Sequence, residues 1–325
     1  MVRTARLSTQ ASSRLALIVR ALRHRNFQLF FGGQLISLIG TWMQNVAQAW
    51  LVYRLTGSSL QLGAIGFAGQ IPVFILSPIG GAVADRYNRH RIVIATQTAS
   101  MLLAFALAGL TLTGRVHIWH VYVLAGLLGV VNAFDIPARQ AFIVEMVTKE
   151  DLMNAIALNS SMFNGARVVG PAIAGILVAS IGEGWCFFAN AVSYIAVIIG
   201  LGLMRVRRRV VPPSGTAVEE IIEGFRFVRE TQPIRALLLL IGLVSLTAMP
   251  YAVLMPIFAD RILHSGAKGL GYLMVASGVG ALGGALTLAA RTGVSGLGNW
   301  VMVATGGVGA RLIAFGFSRS LWLSA

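Results

Sequence analysis

The residues best suited to chemistry in this sequence are polar side chains that stand inside long apolar stretches. In the first stretch, spacings of 7, 4 and 3 residues place four of them on one helical face: Gln34, Thr41, Asn45 and Gln48. A later stretch carries Asn132, Asp135 and Arg139 in a similar stripe. Because burying such groups unpaired is costly, they either hydrogen-bond neighbouring helices or face a water-filled pathway. For the uncharged stripe the sequence leaves both interpretations open.

Two charged residues inside apolar stretches are the strongest candidates for function. Arg167 lies near the middle of its stretch, and Asp135 lies closer to one end of its own. Charges at such depths are rare and usually face a cavity or a partner. We predict that Asp135 or Arg167 contributes to a cavity, Asp135 as a proton-sensitive acid and Arg167 as a counter-charge. A structural salt bridge between Asp135 and Arg139 explains the acid equally well.

Motifs that resemble enzyme and metal sites have better explanations. Gly278, Gly280 and Gly283 satisfy a dinucleotide-binding pattern, but they stand inside an apolar stretch of membrane-crossing length. His117 and His120 bracket a tryptophan, as in the aromatic belt at a membrane interface, and no third ligand is near them. Hydrolase and phosphate-binding motifs are absent from the sequence. We therefore predict no enzyme, no cofactor and no metal.

The composition of the chain indicates that most of its apolar residues face lipid. Of 325 residues, 56% are hydrophobic and 11% are charged, whereas soluble domains carry about 25% charged residues. The net charge of +15 suggests nucleic acid, but the basic residues fall in the gaps between apolar runs rather than in one cluster. This placement is typical of an integral membrane protein, and it argues against a nucleic-acid partner. The single cysteine excludes a disulfide within the chain.

Nine apolar stretches are long enough to cross a bilayer as helices. They lack the strict alternation of a membrane β-barrel, so we predict an all-α integral membrane protein. Their approximate limits are 27–53, 59–84, 92–113, 119–142, 155–180, 185–204, 236–258, 268–290 and 298–318.

The distribution of basic residues predicts both orientation and domains. Nineteen lysines and arginines lie at the N-terminus or near the even-numbered connections, against five on the other side. The positive-inside rule then places the N-terminus in the cytoplasm of a multi-pass inner-membrane protein. We expect a basic N-terminus (1–26), a six-helix bundle (27–204), a cytoplasmic linker (205–235) and an incomplete second bundle (236–325), because the chain ends in what looks like the start of another helix.

The connection after the second stretch carries a specific motif, Gly-x-x-x-Asp-Arg-x-x-Arg, formed by Gly81, Asp85, Arg86 and Arg89. It resembles the signature loop of the major facilitator superfamily, with Asn88 in place of a glycine. Asparagine tolerates a left-handed backbone, so we expect the turn to be kept. A second segment is similar to the Gly-Pro motif of the antiporters in that superfamily, and its residues are Gly165, Gly170, Pro171 and Gly175.

Three further segments, Leu22–Phe27, Gly40–Gln44 and Asp135–Ala141, look like the bacterial subgroup of enterobactin exporters and macrolide efflux proteins. The resemblance implies a helical bundle of two six-helix halves, of which about three helices would be missing. It also implies a proton-coupled exporter of a siderophore or drug that works by alternating access. Its partners would be a small-molecule substrate, the proton and the lipid bilayer.

The resemblance further assigns roles to the two motifs. The Asp85, Arg86 and Arg89 loop would act as a cytoplasmic latch, and Gly170 with Pro171 would form a bending point. Independently of the resemblance, Pro171 removes a helix hydrogen bond, so its stretch can bend there. A channel, or a non-transporting membrane receptor or assembly subunit, is the alternative function.

Overall fold

A computed structural model describes residues 20–206, 217–247, 250–289, 306–307, 309–311 and 313–318. Six long helices account for most of the first part. They are α1 (Arg25–Thr56), α2 (Ser59–Arg86), α3 (Arg89–Leu112), α4 (Ile118–Met146), α5 (Leu152–Ile181) and α6 (Glu183–Gly202), with short 3₁₀ turns at Arg20–Arg23 and Lys149–Asp151. Each of the first six predicted stretches coincides with one of these helices, and the described residues contain no strand.

The second part begins with α7 (Ala217–Glu230), α8 (Gln232–Thr247) and α9 (Pro250–Ile257). A π-helical turn (Phe258–Ile262) then leads into α10 (Gly266–Ala289), and the described residues from 306 to 317 are helical. The predicted stretch 236–258 is covered by α8 and α9, and 268–290 by α10. Most of the predicted basic N-terminus and the first half of the stretch 298–318 lie outside the described residues.

Local chemistry explains where the helices begin and end. Gly57 ends α1 in a left-handed conformation (φ +60°), which glycine adopts without strain. Ser58 then caps α2 by accepting the Gln61 N–H at 3.4 Å. Asn88 does not adopt the left-handed backbone expected from the sequence. It is extended (φ −67°, ψ 107°), and its side chain caps α3 by accepting the Arg91 N–H at 3.0 Å.

Five helices, α2 to α6, are long and apolar enough to cross a membrane. Large apolar side chains point outward from them: Leu60 is 78% exposed, Phe74 84% and Met153 75%. Lipid is the solvent that makes such exposure favourable.

The first six helices pack as a bundle in which α1 contacts α5 and α6, α3 contacts α4 and α6, and α2 contacts α4. The α2–α4 contact is the closest. A Cβ on Gly80 would overlap the Ala133 carbonyl oxygen, and one on Gly129 would overlap the Gly69 carbonyl oxygen. Small residues let membrane helices approach to this distance. Outside the bundle, α10 packs along α5.

The bundle has two ends, which are named here by the segments that they hold. We call the end that holds Arg20–Arg23, the α2–α3 turn and the end of α4 the basic end. The end that holds the α1–α2 turn, the α5–α6 turn and the π-helical turn is called the opposite end.

Candidate functional site

The strongest candidate site is the carboxylate of Asp135, which is 3% exposed. Thr96 and Gln97 on α3 both donate to its Oδ1, at 2.7 and 2.9 Å. Arg139, one turn further along α4, places Nε 3.2 Å from its Oδ2. Three donors from two helices therefore hold one buried acid.

The counter-charge of Asp135 is Arg139 rather than Arg167. The Arg167 guanidinium lies over the Trp42 ring on α1, 5.6 Å from its centroid, and no contact with Asp135 is found in the described part of the chain. The structure thus contains the Asp135–Arg139 salt bridge that the sequence left as an alternative. It does not bring together Asp135 and Arg167, the two charges with predicted cavity roles.

A network of uncharged polar groups lies beside this acid. Asn190 donates to the Gln44 Oε1 at 2.7 Å and joins α6 to α1. The buried Tyr194 hydroxyl faces Thr41, Asn190 and Ser100, and so connects α1, α6 and α3. Neither Gln44 nor Asn190 was among the predicted site residues. The sequence does mark Asn190, because it is the only amide side chain in the apolar stretch 185–204.

The predicted stripe on α1 does not form one surface. Gln34 is 2% exposed and its Oε1 has no partner among the described residues. Thr41 donates to the Ser37 carbonyl at 3.0 Å, and Asn45 is exposed. Gln48 is half-buried, and so is Asn132, which belongs to the second predicted stripe, on α4. The stripe therefore divides between bundle interior and surface.

The signature loop is organised around Arg89. Its Nη2 lies 2.8 Å from the Asp85 Oδ1, its Nη1 lies 3.0 Å from the Glu145 Oε1, and its Nε donates to the Ala84 carbonyl at 2.9 Å. One side chain thereby ties together the ends of α2, α3 and α4. Glu145 was not among the predicted site residues, and it is the more buried acid: its side chain is 17% exposed, against 66% for Asp85. Arg86 is exposed at this turn.

Replacing Arg89 with methionine is expected to lower the free energy of unfolding by about 2 kcal/mol, because the largely buried Glu145 carboxylate is left without its cation. Thermal unfolding in detergent measures the change. Arg91→Met is the matched control, since Arg91 is exposed two residues away. Equal stability of the two variants would show that the loop contacts contribute nothing to the fold.

The Gly-Pro segment forms contacts on two sides of α5. A Cβ on Gly170 would lie 2.5 Å from the Trp42 Cβ on α1, and one on Gly175 would lie 2.9 Å from the Gly271 Cα on α10. Gly165 faces open space, and Pro171 is buried inside a continuous helix. The two glycines therefore allow close packing of α5 against α1 and α10.

Polar contacts join α1 to the second part of the chain at the opposite end. The Tyr53 hydroxyl donates to the Asp260 Oδ2 at 2.7 Å, and the Arg261 Nη2 donates to the Gly57 carbonyl at 2.9 Å. Beneath them, residues of both parts share one buried apolar cluster, to which the second part contributes Met255, Ala259, Leu270 and Leu273. At the opposite end, α1 and the second part of the chain are thus joined by both polar and apolar contacts.

A family profile and individual relatives both compare this chain with membrane transporters. A family profile described as transmembrane secretion effector, within the major facilitator superfamily, matches residues 18–325. The chain is 28% identical over 265 residues to the staphyloferrin A transporter of Staphylococcus aureus, covering 80% of this chain and 66% of that protein. It is 30% identical over 252 residues to the multidrug efflux pump Tap of Mycolicibacterium fortuitum, covering 74% and 61%.

The enterobactin exporter EntS of Shigella boydii is 26% identical over 264 residues, covering 81% of this chain and 63% of that protein. The chain therefore spans just under two thirds of the length of these relatives.

Proposed function

The chain belongs to the major facilitator superfamily, in the family of transmembrane secretion effectors, and from this premise we propose that it works as a proton-coupled exporter. In this proposal it lies in the inner membrane with its N-terminus in the cytoplasm. It exports a small amphipathic compound, a siderophore or a drug, by alternating access. The relatives named above transport such compounds, and the uncharged amides beside Asp135 suit an amphipathic ligand.

The observation that carries the proposal is the set of groups around Asp135. A carboxylate accepts hydrogen bonds, whereas a protonated carboxyl also donates one. Gln97 suits both states, because its amide can rotate to present Oε1, which has no partner in the described structure, instead of Nε2. The Thr96 hydroxyl can donate or accept in the same way. Protonation of Asp135 would also remove the charge that holds Arg139, so gain of a proton would change the contacts of the Arg139 side chain.

Alternating access is supported by the asymmetry of the two ends. The positive-inside rule assigns the basic end to the cytoplasm, so the opposite end, where α1 contacts the second part of the chain, would face outward and would be closed by those contacts. In this interpretation the structure is an inward-facing state whose outer gate is formed by Tyr53, Asp260, Arg261 and Gly57. The Arg89 loop would hold the cytoplasmic ends of α2, α3 and α4 as one body, while Gly170 and Pro171 would let α5 adjust.

Replacing Tyr53 with phenylalanine is expected to favour the outward-open state about fivefold, because one hydrogen bond worth about 1 kcal/mol is lost from the closed gate. The reporter is the labelling rate of Leu273→Cys by an impermeant maleimide applied outside, in a Cys186→Ser background. Tyr122→Phe is the matched control, since its hydroxyl bonds Gln61 at the same end within the first six helices. Unchanged labelling in Tyr53→Phe would contradict the gate.

The function itself is tested by efflux of a panel of siderophores and drugs from cells that carry the full-length protein, with and without a protonophore. We expect at least one compound to leave the cells in a way that the protonophore abolishes. Conductance without gradient coupling would indicate a channel, and no flux of any compound would favour a receptor or assembly subunit.

A further inference from the structure

The basic end contains a groove that the transport proposal does not use. It lies between the first turn of α1, the end of α4 and Arg205, three residues after the end of α6, and its volume is about 360 Å³. Reciprocal hydrogen bonds fix its walls: the Asn26 amide donates to the Arg205 carbonyl at 3.0 Å, and the Arg205 N–H donates back to the Asn26 Oδ1 at 3.2 Å. The groove is lined by His24, Arg25, Asn26, Met146 and Arg205.

The charge in this groove is unbalanced. Asp151, the acid nearest in the hydrogen-bond network, already accepts from Arg20 and lies 2.8 Å from the His24 Nε2. Arg25 and Arg205 are exposed, and neither forms an ion pair with any described residue. Two guanidinium groups therefore border one groove, and no carboxylate of the described residues pairs with either of them.

The groove also contains the N-terminus of a 32-residue helix, and no side chain caps it. The first N–H groups of a helix lack partners within it and favour an anion, as do two guanidinium groups. Met146 adds an apolar wall, and the groove stands at the ends of α4 and α6, two helices of membrane-crossing length, where lipid headgroups would lie. We propose that it binds the phosphodiester of an anionic phospholipid, which matches both the cations and the apolar wall.

The test is thermal unfolding of the full-length protein in detergent during titration with dioleoylphosphatidylglycerol or dioleoylphosphatidylcholine. The phosphatidylglycerol is expected to raise the midpoint more than the phosphatidylcholine. The double variant Arg25→Gln/Arg205→Gln is expected to bind phosphatidylglycerol about thirtyfold more weakly, from two lost arginine contacts.

The matched control removes two exposed arginines that do not line the groove, in Arg91→Gln/Arg226→Gln, and it is expected to keep the affinity of the unmodified protein. Equal phosphatidylglycerol affinity in the two double variants would overturn the proposal. Glycerol 1-phosphate added alone distinguishes a lipid from a free phosphate: if it raises the midpoint as much as the lipid at equal concentration, the lipid assignment is wrong. Neither outcome depends on transport.

Discussion

The substitution Gly80→Val is expected to prevent stable assembly of the first six helices. The added Cβ would overlap the carbonyl oxygen of Ala133, a backbone atom that cannot rotate away. The α2–α4 contact would have to open. Gly129, one helical turn before Ala133 on α4, would then lose its own close approach to Gly69. Overpacking of this kind costs about 3 kcal/mol or more, a large part of the stability of a domain.

The neighbouring Gly81→Val is the matched control, because nothing lies within 4 Å of a Cβ at that position. Both variants add the same side chain to the same helix, so helix propensity and hydrophobicity cancel in the comparison. We expect the Gly81 variant to elute as a monodisperse peak in detergent, and the Gly80 variant to aggregate or to be degraded in cells. Normal yield and unfolding temperature for Gly80→Val would contradict the close α2–α4 packing.

The substitution Asp135→Asn is expected to abolish uphill export while leaving downhill exchange of substrate intact. One-for-one exchange with protons supports about tenfold accumulation per pH unit, because one unit is worth about 1.36 kcal/mol. Asparagine keeps the shape and accepts from Thr96 and Gln97, but it carries no proton between the two sides. The loss under a gradient of one pH unit is therefore about tenfold, measured in proteoliposomes with and without the gradient.

A second variant separates this role from that of a structural salt bridge with Arg139. Removing one partner of a buried pair leaves the other charge unpaired, and removing both relieves that cost. If the pair is structural, Asp135→Asn/Arg139→Gln should recover uphill export. We expect the double variant to recover stability but not export, and recovery of export would contradict a proton-carrying Asp135.

The sequence was sufficient to predict the helices of the first part of the chain. A run of about twenty apolar residues has few alternatives in lipid, so α2 follows the predicted limits 59–84 within a few residues. It also predicted that Asp135 is buried and that Arg139 is its possible partner, because residues four apart share a helical face. Both predictions are properties of a single helix.

Contacts between helices were not predictable in the same way. Glu145 reaches Arg89, and Asn190 reaches Gln44, only because of how far each helix rotates and tilts against its neighbour. The same reason explains why Gly81 drew attention through its motif, whereas the adjacent Gly80 makes the contact. Rotation by one residue, about 100°, decides which of two glycines is essential to packing.

Proton movement driven by substrate tests the central claim most directly. Full-length protein in proteoliposomes that contain a pH-sensitive dye would receive a substrate identified in the efflux panel, with no imposed gradient. The proposal predicts a pH change on substrate addition that requires Asp135 and disappears in Asp135→Asn while substrate flux continues. Substrate flux without any pH change in the unmodified protein would contradict proton-coupled export.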